Sequence, residues 1–322
     1  MKVLADRAPL ELREVAVPEP GPGQLLLKMQ AASLNRGEFI LGHGLLKPGA
    51  EKAIGIEGAG AVARVGPGIK GFGEGQRIMG RIAGAFSEYA LIDVREAIAM
   101  PSGLSWTDAS AIPLTFLVVH DMLVLQGRLR PGEWVLVTGI SSGIGVASLQ
   151  AAKELGAKVI GTSGSQQKLD KLAAQGLDVG LLTRAPHFPD AVMKATGGKG
   201  VNLVVNTVGG TVFAECIRSM AFEGRLATVG YVDNTLEAKI DIQALHTRRL
   251  TLFGVSNKLR SAEQRAAGVP AFIAGFMLAI AAGRIRPVVD RVFPFDQLPE
   301  ARAHMESNRH LGKIVLGIGG AA

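Results

Sequence analysis

Short apolar runs alternate with glycine and proline punctuation through the first hundred residues. Residues 24–31, 60–65 and 86–92 are such runs, set off by Pro20-Gly21-Pro22-Gly23 and Gly66-Pro67-Gly68. No apolar positions recur at helical period there, so the segment reads as β-rich. The texture changes at Ser105-Trp106-Thr107-Asp108, a helix start with Ser105 as N-cap and an acid three residues on. An apolar stretch then continues to Leu125, broken by Pro113, His120 and Asp121. From Trp134 to about Gly254, strand and helix patterns alternate. Residues 134–137 are uniformly apolar, as in a strand buried on both faces. Residues 143–155 read as a helix, 158–160 as the next strand, and 201–205, 225–229 and 250–253 as further strands, with a helix over 212–220. That alternation predicts a parallel, doubly wound α/β sheet. A helix over 271–282 follows, closed by Gly283, and β texture returns at 288–292 and 314–316. The economical organisation is a β domain split in sequence, residues 1–110 and 284–322, with an α/β domain inserted at 111–283.

Composition narrows the class. With 322 residues, 48% apolar and 20% charged, the chain has ample material for packed cores and is no disordered segment. The single cysteine, Cys216, excludes an intramolecular disulfide and a four-cysteine zinc site, and predicts a reducing, cytoplasmic compartment. The start, MKVLADRAPLELREV, mixes charges and lacks an apolar core, so no signal peptide is expected. The longest nearly uniform apolar stretch, 271–283, is shorter than the ~20 residues a bilayer demands, and no membrane partner is expected. The net charge of +7 reads either as an ordinary basic surface or as a funnel for an anionic cofactor. Aromatics are only 5% and interleave with no basic run, which argues against nucleic acid.

The strongest local chemistry is Val135-Leu136-Val137-Thr138-Gly139-Ile140-Ser141-Ser142-Gly143-Ile144-Gly145. It follows a buried strand and opens a helix, the context of a dinucleotide-binding turn. Glycines permit the tight turn and close backbone approach, and the helix start offers unpaired N–H groups to a pyrophosphate. Ser141 and Ser142 add hydroxyl donors. The next strand ends in Gly161-Thr162-Ser163-Gly164-Ser165, then Gln166-Gln167-Lys168, with no acid before Asp170. An NAD site expects an acid there for the ribose 2′-OH. Thr162, Ser163 and Lys168 suit a 2′-phosphate instead, so NADP(H) is expected; the plainer reading makes Lys168 a solvated helix residue. The turn is also similar to that of short-chain dehydrogenases, which require Tyr-x-x-x-Lys. Four residues after Tyr89 and Tyr231 stand Asp93 and Thr235, and the turn lies far from the N-terminus, so that reading fails.

Further motifs resemble the medium-chain dehydrogenase/reductase superfamily, and within it the zinc-independent, NADPH:quinone reductase-like branch. Ser33-Leu34-Asn35-Arg36-Gly37-Glu38 is similar to its Leu-Asn-Pro-x-Asp segment, Gly55-Ile56-Glu57-Gly58-Ala59-Gly60 to Gly-x-Glu-x-x-Gly, and Gly84-Ala85-Phe86-Ser87-Glu88-Tyr89-Ala90 to Gly-Gly-x-Ala-Glu-Tyr. Val208-Gly209-Gly210, Gly224-Arg225, Gly230 and Gly312-Lys313-Ile314-Val315-Leu316 follow its later motifs. The resemblance implies a GroES-like β domain completed by the C-terminal segment, a Rossmann domain, a cofactor in the cleft between them, and a homodimer paired through sheet edges such as 250–255. It implies cofactor contacts at Val208, Gly209 and Gly230, and at Asn35, Phe253, Gly254, Val255 and Lys313 near the nicotinamide. His120 or Tyr231 could line the site.

Zinc-dependent relatives would carry His where Ile56 stands and a catalytic cysteine around 33–36. The six histidines show no paired spacing, so no metal is expected. The branch's tyrosine is missing from Gly42-His43-Gly44-Leu45-Leu46, and its Thr-Ala pair is replaced by Val118-Val119. The expected activity is hydride transfer from NADPH to a small-molecule quinone or α,β-unsaturated carbonyl. Asn35 is the expected catalytic residue, as a helper at a developing enolate oxygen. The alternatives are an enoyl or 2-alkenal reductase of the same branch, and a non-catalytic, crystallin-like NADPH- and RNA-binding protein.

Overall fold

The computed structural model describes residues 1–5, 11–39 and 54–320. In chain order the strands are β1 (Lys2–Ala5), β2 (Glu11–Glu14), β3 (Gln24–Ser33), β4 (Glu57–Val65), β5 (Arg77–Arg81), β6 (Tyr89–Asp93), β7 (Ala97–Ala99), β8 (Trp134–Thr138), β9 (Lys158–Ser163), β10 (Val179–Leu182), β11 (Val201–Asn206), β12 (Met220–Thr228), β13 (Thr251–Gly254), β14 (Val289–Pro294) and β15 (Lys313–Gly317). The first two pair as a hairpin, and the rest form two sheets. The chain divides into two compact units. One comprises Met1–Leu117, Lys258–Ala281 and Pro287–Ala322, the other Val118–Asn257 and Ala282–Arg286.

The first unit is built on a mixed sheet in the order β14-β15-β3-β4-β5-β7, with β6 also paired to β3. The ten-residue β3 is its hub, and Leu25, Leu27 and Met29 bury against Phe86, Leu298 and Leu316. The C-terminal strands complete this sheet: β15 runs antiparallel to β3, with Val315 opposite Ser33. This is the split β domain that the returning β texture predicts.

Two helices, Ala262–Ala266 and Val269–Ala281, fall within this unit, whereas the sequence pattern places them in the inserted domain. Arg265 approaches to 3.9 Å of Glu96, whose carboxylate is already forked by Arg81 at 2.7 Å. The apolar run begins earlier than residue 271, because Pro270 is accommodated in the first helical turn. By length and composition alone, Ala262–Ala281 reaches what a bilayer crossing takes. One face of it, with Val269, Phe272, Phe276 and Ile280, is buried in the protein.

The second unit carries six parallel strands in the order β10-β9-β8-β11-β12-β13. Counted within the unit this is 3-2-1-4-5-6, the doubly wound order of dinucleotide-binding folds. Val135, Leu136 and Val137 of β8 are fully buried, as a strand covered on both faces demands. Strand β10 has no counterpart in the sequence reading: Val179-Gly180-Leu181-Leu182 is short and half exposed at the sheet edge. A second surprise is a π-helical turn over Asp121–Gln126. The Gly127 N–H donates to Met122 O at 3.1 Å, and a Cβ on Gly127 would collide with that oxygen, so the wide turn ends on glycine. Arg225 closes it, donating to Gly127 O at 2.8 Å while pairing with Glu133 at 2.7 Å.

Candidate functional site

In the second unit the register aligns the C-terminal ends of the strands. Thr138 lies opposite Asn206, Asn206 opposite Thr228, and Thr228 opposite Gly254. The segments that follow these strands therefore lie along one sheet edge. They contain Gly139–Gly145, Val208–Gly209, Gly230–Tyr231 and Val255, and Thr162–Ser163 ends the neighbouring β9. Parallel sheets of this order bind ligands at that edge, where the strand order reverses between β8 and β11.

The glycine-rich turn is tied down from both sides. Gly139 adopts φ +65°, and its N–H donates to Thr162 Oγ1 at 3.1 Å. Thr207 Oγ1 donates to Thr138 O at 2.7 Å, and Thr138 Oγ1 accepts from Thr207 N and bonds Asn206 Oδ1. The helix Gly143–Glu154 starts at once, N-capped by Ser142, whose oxygen accepts from Gly145 N at 3.0 Å and keeps its own hydrogen to donate. A Cβ on Gly145 would lie 2.5 Å from Ile140 O, so this helix start presses directly on the turn. First-turn amides such as those of Gly143 and Ile144 have no intrahelical acceptor, and they carry the positive end of the helix dipole. The cradle fits a pyrophosphate.

At the end of β9, Thr162 and Ser163 are buried, and their oxygens serve the backbone amides of Gly139 and Ser165. Lys168 sits in the first turn of helix Gln166–Ala173, which Ser165 caps. A residue that the sequence reading missed joins them. Arg184, from the loop after β10, lies over Gly164, where any side chain would collide with it. This pairing is invisible in sequence because it depends on the unpredicted β10.

The turn after β11 is held by two side chains that carried no sequence signal. Asn206 Oδ1 accepts from the amides of Val208 and Gly209, both at 3.1 Å. Asp233 accepts from Thr211 N and Oγ1 at 2.9 and 2.5 Å and abuts Gly209, which adopts φ +129°. Tyr231 is part exposed, Val255 buried, and Phe253 half-buried beside the exposed Gly254. His120 is buried, and that burial lowers its pKa below the ordinary imidazole value, so it is neutral at pH 7.

In the first unit, antiparallel pairing of β15 with β3 brings Lys313 beside Asn35 across 278 residues of chain. Lys313 Nζ donates to Leu34 O, Asn35 Oδ1 and Glu57 Oε1 at 2.9, 2.7 and 2.8 Å. Glu57 Oε1 also accepts from Ser33 Oγ at 2.7 Å and Asn35 Nδ2 at 2.9 Å, while its Oε2 accepts from Leu114 N at 2.8 Å. The other hydrogen of Asn35 Nδ2 goes to Glu38 Oε1 at 2.9 Å. Both amide hydrogens of Asn35 are thus engaged by carboxyls. Its expected role as donor to an enolate oxygen draws on these same two hydrogens. In the sequence Glu57 and Glu38 stand out only as motif letters. The signal that would have found them is two acids at buried-strand and motif positions with one lysine to answer them. Residues 42–46, with His43, lie outside the described residues. Among the described residues no three His, Cys, Asp or Glu side chains are placed to hold a metal ion. Cys216 is buried, and burial raises its thiol pKa far above the usual value.

Comparison with known families decides the kinship. Residues 21–102 match the alcohol dehydrogenase GroES-like domain, and residues 143–268 match the zinc-binding dehydrogenase family. The chain belongs to the medium-chain dehydrogenase/reductase superfamily. Among curated proteins, the spectinabilin polyketide synthase system protein NorB of Streptomyces orinoci is 32% identical over 299 residues. That match covers 92% of this chain but 13% of the synthase, so the chain spans only a small part of the relatives it matches. Among solved structures, an NAD-dependent alcohol dehydrogenase superposes with TM-score 0.87 at 29% identity, covering 99% of this chain and all of the other. A mycobacterial protein complexed with NADPH gives 0.87 at 25%, covering 98% and 100%. The CurK enoyl reductase gives 0.86 at 22%, covering 98% of each chain, a likeness of fold.

Proposed function

We propose that this medium-chain reductase uses NADPH to reduce the carbon–carbon double bond of an enoyl thioester, without zinc. The observation that carries the substrate class is the likeness to polyketide synthases over nearly the whole of this chain, joined by an enoyl reductase of the same fold. Quinone reduction, the first expectation from the motifs, shares every cofactor feature and has no such support. NADPH when bound supplies the hydride for the β-carbon of the substrate.

The chain's own residues bind and orient. The turn Gly139–Gly145, with Ser141 and the first-turn amides, would hold the pyrophosphate. Lys168 and Arg184, two cations with no acid between β9 and Asp170, would hold a 2′-phosphate. Val208, Gly209, Gly230 and Tyr231 would flank the rest, and Phe253, Gly254 and Val255 would face the nicotinamide. Asn35 and Lys313 would act at the cofactor as a fixed pair, held by Glu57. The proton at the α-carbon would come from solvent, since Asn35 has no free hydrogen. Independence from zinc is supported by Ile56 in the ligand position of zinc-dependent relatives. We also propose a cytoplasmic homodimer, paired through β13, the terminal strand of its sheet.

Steady-state rates with NADPH decide between acceptors. A crotonyl thioester is expected to show kcat/KM at least tenfold above any simple quinone. A preference for quinones by the same margin would reverse the assignment.

A further inference from the structure

The cluster around Glu57 contains two carboxyls and one ammonium. Lys313 spends all three donors on Leu34 O, Asn35 Oδ1 and Glu57 Oε1, so its charge answers Glu57. Glu38 is the second carboxyl. It is 2% exposed, and its Oε1 is met by the Asn35 amide. Its Oε2 is buried with no hydrogen-bond partner among the described residues. An ionised carboxylate in that position would have one neutral donor and no cation of its own, whereas a carboxylic acid escapes the desolvation penalty.

The charged groups nearby leave it so. Lys313 and Glu57 are the charged side chains whose fields reach Glu38 among the described residues, and their effects oppose each other. Arg36, two residues away, turns to Met305 O at 2.9 Å and Asn308 Oδ1 at 2.7 Å. Arg302 stacks on the Phe39 ring at 5.4 Å.

We propose that Glu38 is a positioning residue of the reductase: as a neutral acid it holds the Asn35 amide and Lys313 in register, and loss of its proton breaks that register and stops turnover. Burial pushes the Glu38 carboxyl up to about 8, against the lowering effects of Asn35 and Lys313. With the proton in place the cluster of Glu38, Glu57 and Lys313 is neutral. Without it the cluster carries one uncompensated negative charge, and two carboxylates compete for Asn35 Nδ2 and Lys313 Nζ. The inference rests on the placement of Asn35 and Lys313 at the cofactor in the proposed function.

The test is the pH profile of kcat for the wild type, Glu38→Gln and Glu38→Ala, with saturating NADPH and whichever acceptor the enzyme turns over best. The wild type should lose activity about tenfold per pH unit above its alkaline pKa near 8. Glu38→Gln keeps a neutral head of the same shape and should lack that limb, although its kcat is a few-fold lower. Glu38→Ala should fall roughly tenfold or more at neutral pH, and most of that loss should be restored in the Gln variant. A limb retained in Glu38→Gln, or missing from the wild type, would overturn the proposal. Since any accepted acceptor serves, failure of the enoyl thioester would count against the substrate class and leave the profile readable. Infrared spectroscopy gives a readout free of turnover. A carboxylic-acid band should be present at pH 7 and vanish both above pH 9 and in Glu38→Gln; a wild type without that band would contradict the neutral acid.

Discussion

At the residue scale, the structure redistributes the work among polar side chains. Lys168 is the sole cation the sequence offers at a 2′-phosphate, and Arg184, lying over Gly164, is proposed to share that role. A phosphate recognised by two cations gains charge-assisted hydrogen bonds that a 2′-hydroxyl cannot make, each worth on the order of 1.5–3 kcal/mol. Replacing Arg184 by Ala should therefore raise KM for NADPH by about tenfold to a hundredfold and leave KM for NADH within about twofold. Lys168→Ala should do the same. Parallel kinetics with the two cofactors read this directly, and an equal rise for both would dismiss the 2′-phosphate role. Asn35 shows the opposite case. Its identity was legible as a motif letter, but its partners were not, because Glu57, Glu38 and Lys313 meet it only through pairing of distant strands.

At the scale of elements, the glycine-rich turn is a packed junction between β8, β9, β11 and the helix at Gly143–Glu154. Gly145 stands against Ile140 O and Gly139 against Thr207 Oγ1, so the backbone surface that would meet phosphate depends on missing side chains at these positions. Gly145→Val should displace the helix start and weaken NADPH binding at least tenfold, as measured by fluorescence titration. Undiminished affinity would show that the turn does not carry the cofactor. The strand at residues 134–137 was legible because burial on both faces leaves no polar position, and in 201–205 only Asn202, which accepts from Trp134 N, interrupts the apolar run. Strand β10 was not, since its half-exposed edge position writes no such run. The π-helical turn was also hidden: its apolar residues satisfy an α-helical reading equally, and only the fit of Gly127 against Met122 distinguishes the wider turn.

At the scale of the whole molecule, the β texture that returns after residue 283 correctly anticipated a sheet assembled from both ends of the chain. That texture places Lys258–Ala281 in the inserted domain, whereas the structure groups it with the first unit, because an apolar helix writes the same pattern in either. The superfamily was legible from dispersed motifs, whereas its substrate was not. Quinone and enoyl reduction draw on the same cofactor turn, and the relatives favour the second. The lone cysteine keeps its meaning as an argument against a four-cysteine zinc lobe. The central claim joins cofactor, substrate and freedom from metal, and one isotope experiment addresses all three. Protein dialysed against a strong chelator is mixed with an enoyl thioester and NADPH deuterated at the transferable position, and the product is analysed by mass spectrometry and NMR. The account predicts undiminished turnover with one deuteron at the β-carbon and a solvent proton at the α-carbon. Activity lost on chelation and restored by zinc, or a saturated product without the β-deuteron, would contradict it.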